Sequence, residues 1–231
     1  MTDVKNHRLL LFDRDLNYIS KMDLKRQPRK VTAINKEKIA VGFNKDTLVL
    51  IIKVGTKSMT ISKRIYTRSP SKCVVSSNNR LFLSSYETVL EDEWHMTCFR
   101  LENEEEIDLD VQRVYDGAHM AMFNKDNKNF IVHSCRNDDR VKCHTDDGKE
   151  VFSYKLIGPG GVDVDRYGNI FVASMCRHKI VHLSPAGVLV KTLETGYLSK
   201  PYEVRMNLTH DKLLVTQFES SKVHVLGLAY Q

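Results

Sequence analysis

The chain has 231 residues, of which 42% are hydrophobic and 28% charged, and its formal net charge is +6. Glycine and proline are too scarce for a disordered or collagen-like chain, and no apolar run approaches the roughly 20 residues that cross a bilayer as a helix. The first residues lack the apolar segment of a signal peptide, and the five cysteines follow no zinc-finger spacing. These features predict a cytoplasmic protein with no membrane segment, whose modest positive charge permits an acidic partner.

A repeat of about 42 residues organises the chain. A proline or glycine followed three residues later by an apolar residue recurs at intervals of 42, 47, 42 and 42 residues and predicts a first strand each time. These anchors are Pro28, Pro70, Gly117, Pro159 and Pro201. A second, β-rich strand follows each anchor, centred on Val41, Leu83, Val132, Val172 and Val215. A third strand is predicted near 47–54, 95–101, 139–145, 178–184 and 222–230, and a fourth at 59–66, 105–111, 150–156 and 189–195.

Four antiparallel strands per repeat are typical of a β-propeller. A single four-stranded sheet exposes both faces, so packing between neighbouring sheets stabilises it. The sequence therefore predicts an all-β fold in a single domain, 1–231. Residues 1–27 supply only the third and fourth strands of a unit, at 7–13 and 17–24, and the last unit lacks a fourth strand. The predicted blade units are 1–27 (partial), 28–69, 70–116, 117–158, 159–200 and 201–231 (partial).

Two segments resemble the NHL repeat. Residues 6–15 are similar to the signature that names this repeat, and residues 161–173 followed by 177–180 resemble a nearly complete unit. The wider pattern resembles the C-terminal propellers of tripartite-motif (RING, B-box and coiled-coil) proteins. The resemblance implies a six-bladed propeller, here with an incomplete first blade. The alternative is a closed five-bladed ring, and an open blade edge could pair with another copy of the chain.

The same resemblance implies a recognition domain. In tripartite-motif proteins the propeller binds a protein partner or ubiquitination substrate, or in some members single-stranded RNA, while a RING elsewhere transfers ubiquitin. This chain has no RING, so we predict a non-catalytic binding scaffold with no cofactor. Binding of single-stranded RNA is the alternative function, and a metal-dependent propeller hydrolase or lyase is a further one.

The predicted binding surface is the loop face. We use this name for the loops that join second to third strands and for those that join a fourth strand to the next first strand. Cations on these loops suit a phosphate backbone or an acidic protein surface, although carboxylates occur in the same loop class. The predicted binding residues are Arg26, Arg29, Arg68, Lys72, Arg136, Arg140, Arg177, His178 and Lys200.

Two groups of residues that contain histidine could supply metal ligands, and neither group is predicted to bind a metal ion. A four-residue hairpin loop at 136–139 places Cys143 on the opposite face from His133 and Cys135, so these residues and the adjacent His144 do not converge. At the openings of the first strands, only His119 and Glu203 offer ligand atoms. The residues at the other openings include cations, which repel a metal ion. We predict neither a metal nor a catalytic residue.

Overall fold

The fold is all-β, as the sequence predicts. The structure is a computed structural model that describes residues 1–13, 15–43, 46–86, 94–114, 119–194, 196–207, 209–220 and 222–228, without the side chains of 72, 86, 94 and 110–114. Within these ranges the regular elements are antiparallel strands and one short 3₁₀ helix, Arg136–Asp138. The chain forms two compact units, Met1–Leu109 and Asp110–Gln231. The single domain predicted over 1–231 stays a prediction.

The first ten strands form two sheets. A three-stranded sheet has the order β1-β2-β3, and a seven-stranded sheet has the order β10-β9-β8-β7-β6-β5-β4. The strands are β1 (Thr2–Asp3), β2 (Arg8–Phe12), β3 (Tyr18–Asp23), β4 (Pro28–Ala33), β5 (Lys38–Phe43), β6 (Asp46–Val54), β7 (Met59–Ser77), β8 (Arg80–Tyr86), β9 (Trp94–Arg100) and β10 (Glu106–Val114).

Strand β7 explains the seven-stranded sheet. This strand is 19 residues long; its residues 59–66 pair with β6, and its residues 71–77 pair with β8. It therefore serves as the fourth strand of one predicted unit and the first strand of the next. The change of partner surrounds Pro70, which has no N–H to donate to a ladder. The sheet is thus two four-stranded meanders, which correspond to the predicted units 28–69 and 70–116.

The remaining strands form three sheets of consecutive antiparallel strands. Their orders are β11-β12-β13-β14, β15-β16-β17-β18 and β19-β20-β21, matching the strand content of the last three predicted units. The strands are β11 (His119–Lys125), β12 (Lys128–Cys135), β13 (Arg140–Thr145), β14 (Glu150–Lys155), β15 (Pro159–Val164), β16 (Ile170–Ser174), β17 (Lys179–Leu183), β18 (Leu189–Leu193), β19 (Pro201–Met206), β20 (Lys212–Gln217) and β21 (Val223–Gly227).

The second strands of the four complete units, β5, β8, β12 and β16, bury both of their faces. In β16, Phe171 and Ala173 pack in a core shared with the β19–β21 sheet, whereas Ile170 and Val172 pack in a core shared with the β11–β14 sheet. Successive side chains of a strand point to opposite faces, so one apolar run can fill two cores. All five predicted second-strand centres are 0% exposed: Val41, Leu83, Val132, Val172 and Val215.

The first sheet differs from its prediction by one strand. Residues 1–27 were predicted to hold two strands, but β1 adds a third by pairing Thr2 with Leu9 and Asp3 with Arg8. A strand of two residues is too short to show an alternating pattern in the sequence. The number of blades, the closure of the ring and self-association through a strand edge stay predictions.

The structure also bears on membrane crossing and on the cysteines. Among the described residues, none of the helices has the length and apolar character needed to cross a membrane. All five cysteines are free thiols: Cys73, Cys98, Cys135 and Cys143 are buried, and Cys176 is exposed. A cytoplasmic location stays a prediction.

Candidate functional site

The candidate site lies at the amino ends of the first strands of three successive sheets. Strand β15 packs against both β11 and β19. Their first residues include His119 in β11, Gly160 and Gly161 in β15, and Tyr202 and Glu203 in β19. We call this place the inner-strand site. Sequence analysis singled out His119 and Glu203, and the structure brings these two side chains together.

A histidine–carboxylate pair forms the centre of the inner-strand site. His119 Nδ1 lies 2.7 Å from Glu203 Oε2, and both side chains are partly accessible, at 12% and 22% exposure. The other carboxylate oxygen, Glu203 Oε1, accepts a hydrogen bond of 2.7 Å from Arg205 Nη2. One carboxylate oxygen is thus hydrogen-bonded to Arg205, while the other lies in close ionic contact with the imidazole.

Two glycines allow Glu203 to approach His119. A Cβ atom on Gly160 would lie 2.7 Å from the carbonyl oxygen of Tyr202, and one on Gly161 would lie 2.6 Å from the Cα atom of Glu203. Any larger residue at either position would push β19 away from β15. The glycine pair at the start of β15 therefore brings β19 close enough for the histidine–carboxylate contact.

Side chains from both strands fasten this close packing. Arg205 Nη1 donates to the carbonyl oxygen of Val162 at 2.9 Å, and Asp163 Oδ2 accepts from the backbone N–H of Met206 at 2.8 Å. Arg205 therefore joins β19 to β15 as well as orienting Glu203. Arg205 and the glycines were not singled out from the sequence, because their role depends on how two strands approach each other.

The arrangement suits acid–base chemistry. A carboxylate on one ring nitrogen of a histidine orients the ring, selects its tautomer and stabilises its protonated form. The ring of Tyr202 meets the His119 ring edge to face, with centroids 5.4 Å apart. Among the residues that the structure describes, no group of three His, Cys, Asp or Glu side chains is arranged to hold a metal ion.

In the first unit, the predicted basic residues that can be placed are engaged by carboxylates or partly buried. Arg26 forms an ion pair with Asp46. Arg68 pairs with Asp108 at 2.8 Å and lies 3.7 Å from Glu106. Arg29 is partly buried in β4, and the side chain of Lys72 lies outside the described residues. An arginine that is paired with a carboxylate contributes less to the positive electrostatic potential of the surface. These residues therefore do not form a concentrated basic surface.

In the second unit, two predicted binding residues meet. His178 Nδ1 accepts a hydrogen bond of 3.1 Å from the backbone N–H of Lys200, and both residues are exposed. Arg136 and Arg177 are exposed, and neither pairs with a carboxylate among the described side chains. Arg140 lies 3.8 Å from Asp138 and donates to Ser153. His178 and Lys200 are thus the predicted pair that the structure joins directly.

The turn after β20 extends the inner-strand site. The backbone N–H of Phe218 donates to the carbonyl oxygen of Lys200 at 2.9 Å, and the Phe218 ring lies 5.8 Å from that of Tyr202. Phe218 therefore links the His178–Lys200 contact to the inner-strand site. Phe218 was not singled out from the sequence, although it follows a second strand and so belongs to the loop face.

A second histidine cluster is buried between β12 and β13. The predicted hairpin register is present, with Cys135 opposite Arg140 and Cys143 opposite Val132. Cys143 packs in an apolar core on the other face. His133 Nε2 lies 3.2 Å from His144 Nδ1, and His133 Nδ1 lies 3.2 Å from Cys135 Sγ. His133 uses opposite ring nitrogens for the two contacts, so these atoms do not surround a common point.

No family model matches the chain, and no curated protein matches it. Solved structures with a similar fold are nevertheless found at low sequence identity. Virginiamycin B lyase from Staphylococcus aureus is 12% identical, with a TM-score of 0.67 over 96% of this chain and 75% of that chain. A functionally unknown protein from Desulfotomaculum acetoxidans is 13% identical, with a TM-score of 0.70 over 98% and 74%. A luciferin-regenerating enzyme is 13% identical, with a TM-score of 0.65 over 97% and 88%.

These similarities support a propeller-type β fold, and the named functions of the similar proteins are diverse. They contradict the prediction that the chain is not an enzyme, because a lyase and a luciferin-regenerating enzyme are among the similar structures. The prediction depended on missing catalytic sequence motifs. A pair such as His119 and Glu203, assembled from segments far apart in the chain, leaves no such motif.

Proposed function

We propose that the chain binds a small polar ligand at the inner-strand site and transfers a proton to or from it. The supporting observation is the 2.7 Å contact between His119 Nδ1 and Glu203 Oε2, together with the fixing of the other carboxylate oxygen by Arg205. Because Nδ1 faces the carboxylate, His119 Nε2 is the atom that exchanges a proton with the ligand. Glu203 orients the imidazole and stabilises its charged form.

The reaction class that fits this pair is proton abstraction followed by cleavage of a neighbouring bond. In such a reaction a single histidine takes the proton and can return one to the leaving group. Virginiamycin B lyase is catalytically inactive when one of its histidines is replaced by alanine. That observation supports the choice of a histidine-centred reaction of the lyase class for this chain.

The first test compares His119→Asn with the unaltered chain. Each protein is incubated with a cellular extract of small molecules at neutral pH, and mass spectrometry follows which compounds disappear and which form. We expect His119→Asn to lower the rate of the reaction by about 100-fold or more, because positioned acid–base groups contribute this much. Glu203→Gln should also lower the rate, because it removes the charge that stabilises the imidazolium. The decrease should be smaller than for His119→Asn, because glutamine retains the shape of the side chain.

The matched control is His210→Asn, which changes a histidine in the turn between β19 and β20, at the other end of β19. It should leave the rate unchanged. Equal rates in the unaltered chain and in His119→Asn would contradict the proposal, as would the absence of any compound consumed by the unaltered chain.

We also propose that the loop face recognises a protein partner. The supporting observation is that Arg136, Arg177 and Lys200 are exposed in the second unit. Recognition of a ubiquitination substrate for a tripartite-motif-type ligase, binding of single-stranded RNA and an NHL identity stay predictions from the family resemblance. Each of them would use this same surface.

Charge reversal tests the partner proposal. The change of Arg136, Arg177 and Lys200 to Glu should remove most binding to captured partners, because it replaces three cations with three carboxylates. The change of Arg26 and Arg68 to Gln is the control, because these side chains already pair with Asp46 and Asp108, and it should leave binding unchanged. Retained binding by the triple variant would contradict the proposal, and loss of RNA alone would favour the nucleic-acid alternative.

A further inference from the structure

A row of three neighbouring rings begins at the histidine of the histidine–carboxylate pair. The His119 and Tyr202 rings are 5.4 Å apart at an interplanar angle of 85°, and the Tyr202 and Phe218 rings are 5.8 Å apart at 49°. We call His119, Tyr202 and Phe218 the aromatic strip. The outer ring, Phe218, is 43% exposed. An exposed phenylalanine next to a partly exposed tyrosine offers aromatic ring surface that a planar ligand can contact.

The outer end of the aromatic strip is bordered by positive charge. The carbonyl oxygen of Lys200 accepts a hydrogen bond from the backbone N–H of Phe218, and the backbone N–H of Lys200 donates to His178 Nδ1. His178 follows Arg177 in the same turn. Lys200 and Arg177 are exposed, and so is Lys222 beyond Phe218. Glu219 directly follows Phe218 in sequence, so the segments that adjoin this end of the strip carry three exposed cations and one carboxylate. An anionic group is therefore favoured here.

We propose that the ligand of the inner-strand site is an aromatic anion: a planar ring that carries a phosphate or carboxylate group. The ring lies against Tyr202 and Phe218, and the anionic group faces Lys200 and Arg177. The other end of the ligand then reaches His119, whose proton transfer is the proposed function on which this inference rests. The charge of the surface and the run of rings together select this ligand class, because a saturated ring has no π-face and a neutral ring has no partner for the cations.

The test compares three small probes on the full chain. Phenyl phosphate carries both the ring and the anion, cyclohexyl phosphate carries the anion with a saturated ring, and phenol carries the ring without the phosphate. Ligand-observed NMR titrations give the dissociation constant of each probe. We expect phenyl phosphate to bind at least fivefold more tightly than either of the other two.

Two substitutions separate the contributions of the ring and the charge. Phe218→Leu keeps apolar volume but removes the outer ring, so the preference for phenyl over cyclohexyl phosphate should fall at least threefold. Lys200→Gln should weaken both phosphates to a similar extent. Tyr167→Leu and Lys212→Gln are the matched controls, since Tyr167 is exposed in a turn of the same unit and Lys212 is exposed at the start of β20. Both controls should leave all three dissociation constants unchanged.

Equal affinity for phenyl and cyclohexyl phosphate would overturn the inference, as would a ring preference that survives Phe218→Leu. Failure to bind phenyl phosphate at millimolar concentration would also overturn it. The proposed proton transfer is measured separately, by the dependence of turnover on His119. Lost ring selectivity with His119-dependent turnover intact would leave the proposed function standing and reject the ligand class. The reverse result would retain the ligand class and reject proton transfer.

Discussion

Burial determines which atoms carry protons in the hydrogen-bonded series Cys135, His133 and His144. His133 is 0% exposed, and its ring stacks on His144 with centroids 5.1 Å apart. Burial raises the pKa of the Cys135 thiol to about 12, so its sulfur keeps a proton at neutral pH. Glu150 lies 3.8 Å from His144 Nε2 and favours a proton on that nitrogen. His144 Nδ1 then accepts from His133 Nε2–H, and His133 Nδ1 accepts from the Cys135 thiol.

Acid should destabilise the fold through His133. Burial, followed by the charges of His144 and Lys142, lowers the pKa of His133 from 6.5 to about 3. Burial also lowers the pKa of His144, although the Glu150 carboxylate opposes this change. A histidine with a lowered pKa binds its proton mainly after unfolding. Its contribution to stability is therefore complete above pH 6.5 and is lost as the pH falls toward 3.

Urea unfolding at two pH values measures this effect. His133 alone should lower the free energy of unfolding by about 2 kcal/mol between pH 7 and pH 5. His133→Gln should remove that part of the pH dependence, whatever it does to stability at neutral pH. His7→Asn, a change outside the buried cluster, should retain it. An identical pH dependence in His133→Gln and the unaltered chain would show that the buried imidazole is not the proton-binding group.

At the scale of elements, strand contacts place the functional residues. His119, Gly161 and Glu203 belong to three different sheets, and they meet because each lies near the start of a first strand. The repeat predicts that these starts are equivalent. It does not predict that Glu203 crosses the start of β15 to reach β11, because that depends on the two glycines and on Arg205.

Gly161→Ala tests the close approach of β15 and β19. The new methyl group would meet the Cα atom of Glu203 at 2.6 Å and the backbone nitrogen of Val204 at 2.7 Å. Since backbone atoms are the obstacle, the strands must move apart, at a cost of about 1–3 kcal/mol in the free energy of unfolding. The same movement should separate Glu203 from His119 and lower the His119-dependent rate.

Gly196→Ala is the control, because a Cβ atom there meets nothing within 4 Å. Its free energy of unfolding, measured by urea titration, should change by less than about 0.5 kcal/mol. If Gly161→Ala were as stable as Gly196→Ala, the close packing of β15 and β19 would not be the feature that brings Glu203 to His119.

For the whole molecule, the repeat and the charge have different predictive power. The 42-residue period predicts the strands well, because the complete units repeat the same pattern of buried second strand and polar turn. The net charge of +6 does not indicate which cations form ion pairs. Arg26 and Arg68 form ion pairs with carboxylates, whereas Arg177 and Lys200 pair with no carboxylate among the described side chains. The net charge of a sequence does not indicate which cations form ion pairs in the folded protein.

The sequence by itself determined the all-β class, the phase of the strands and the register at the 136–139 loop. These follow from local alternation of apolar residues, from turn residues and from a regular period. The tertiary structure alone decided that His119 meets Glu203, that Phe218 adjoins Lys200, and that His133, His144 and Cys135 form one buried chain. Each of these contacts depends on how strands pack or on the direction in which a side chain points. The pattern of residue types along the sequence specifies neither of these.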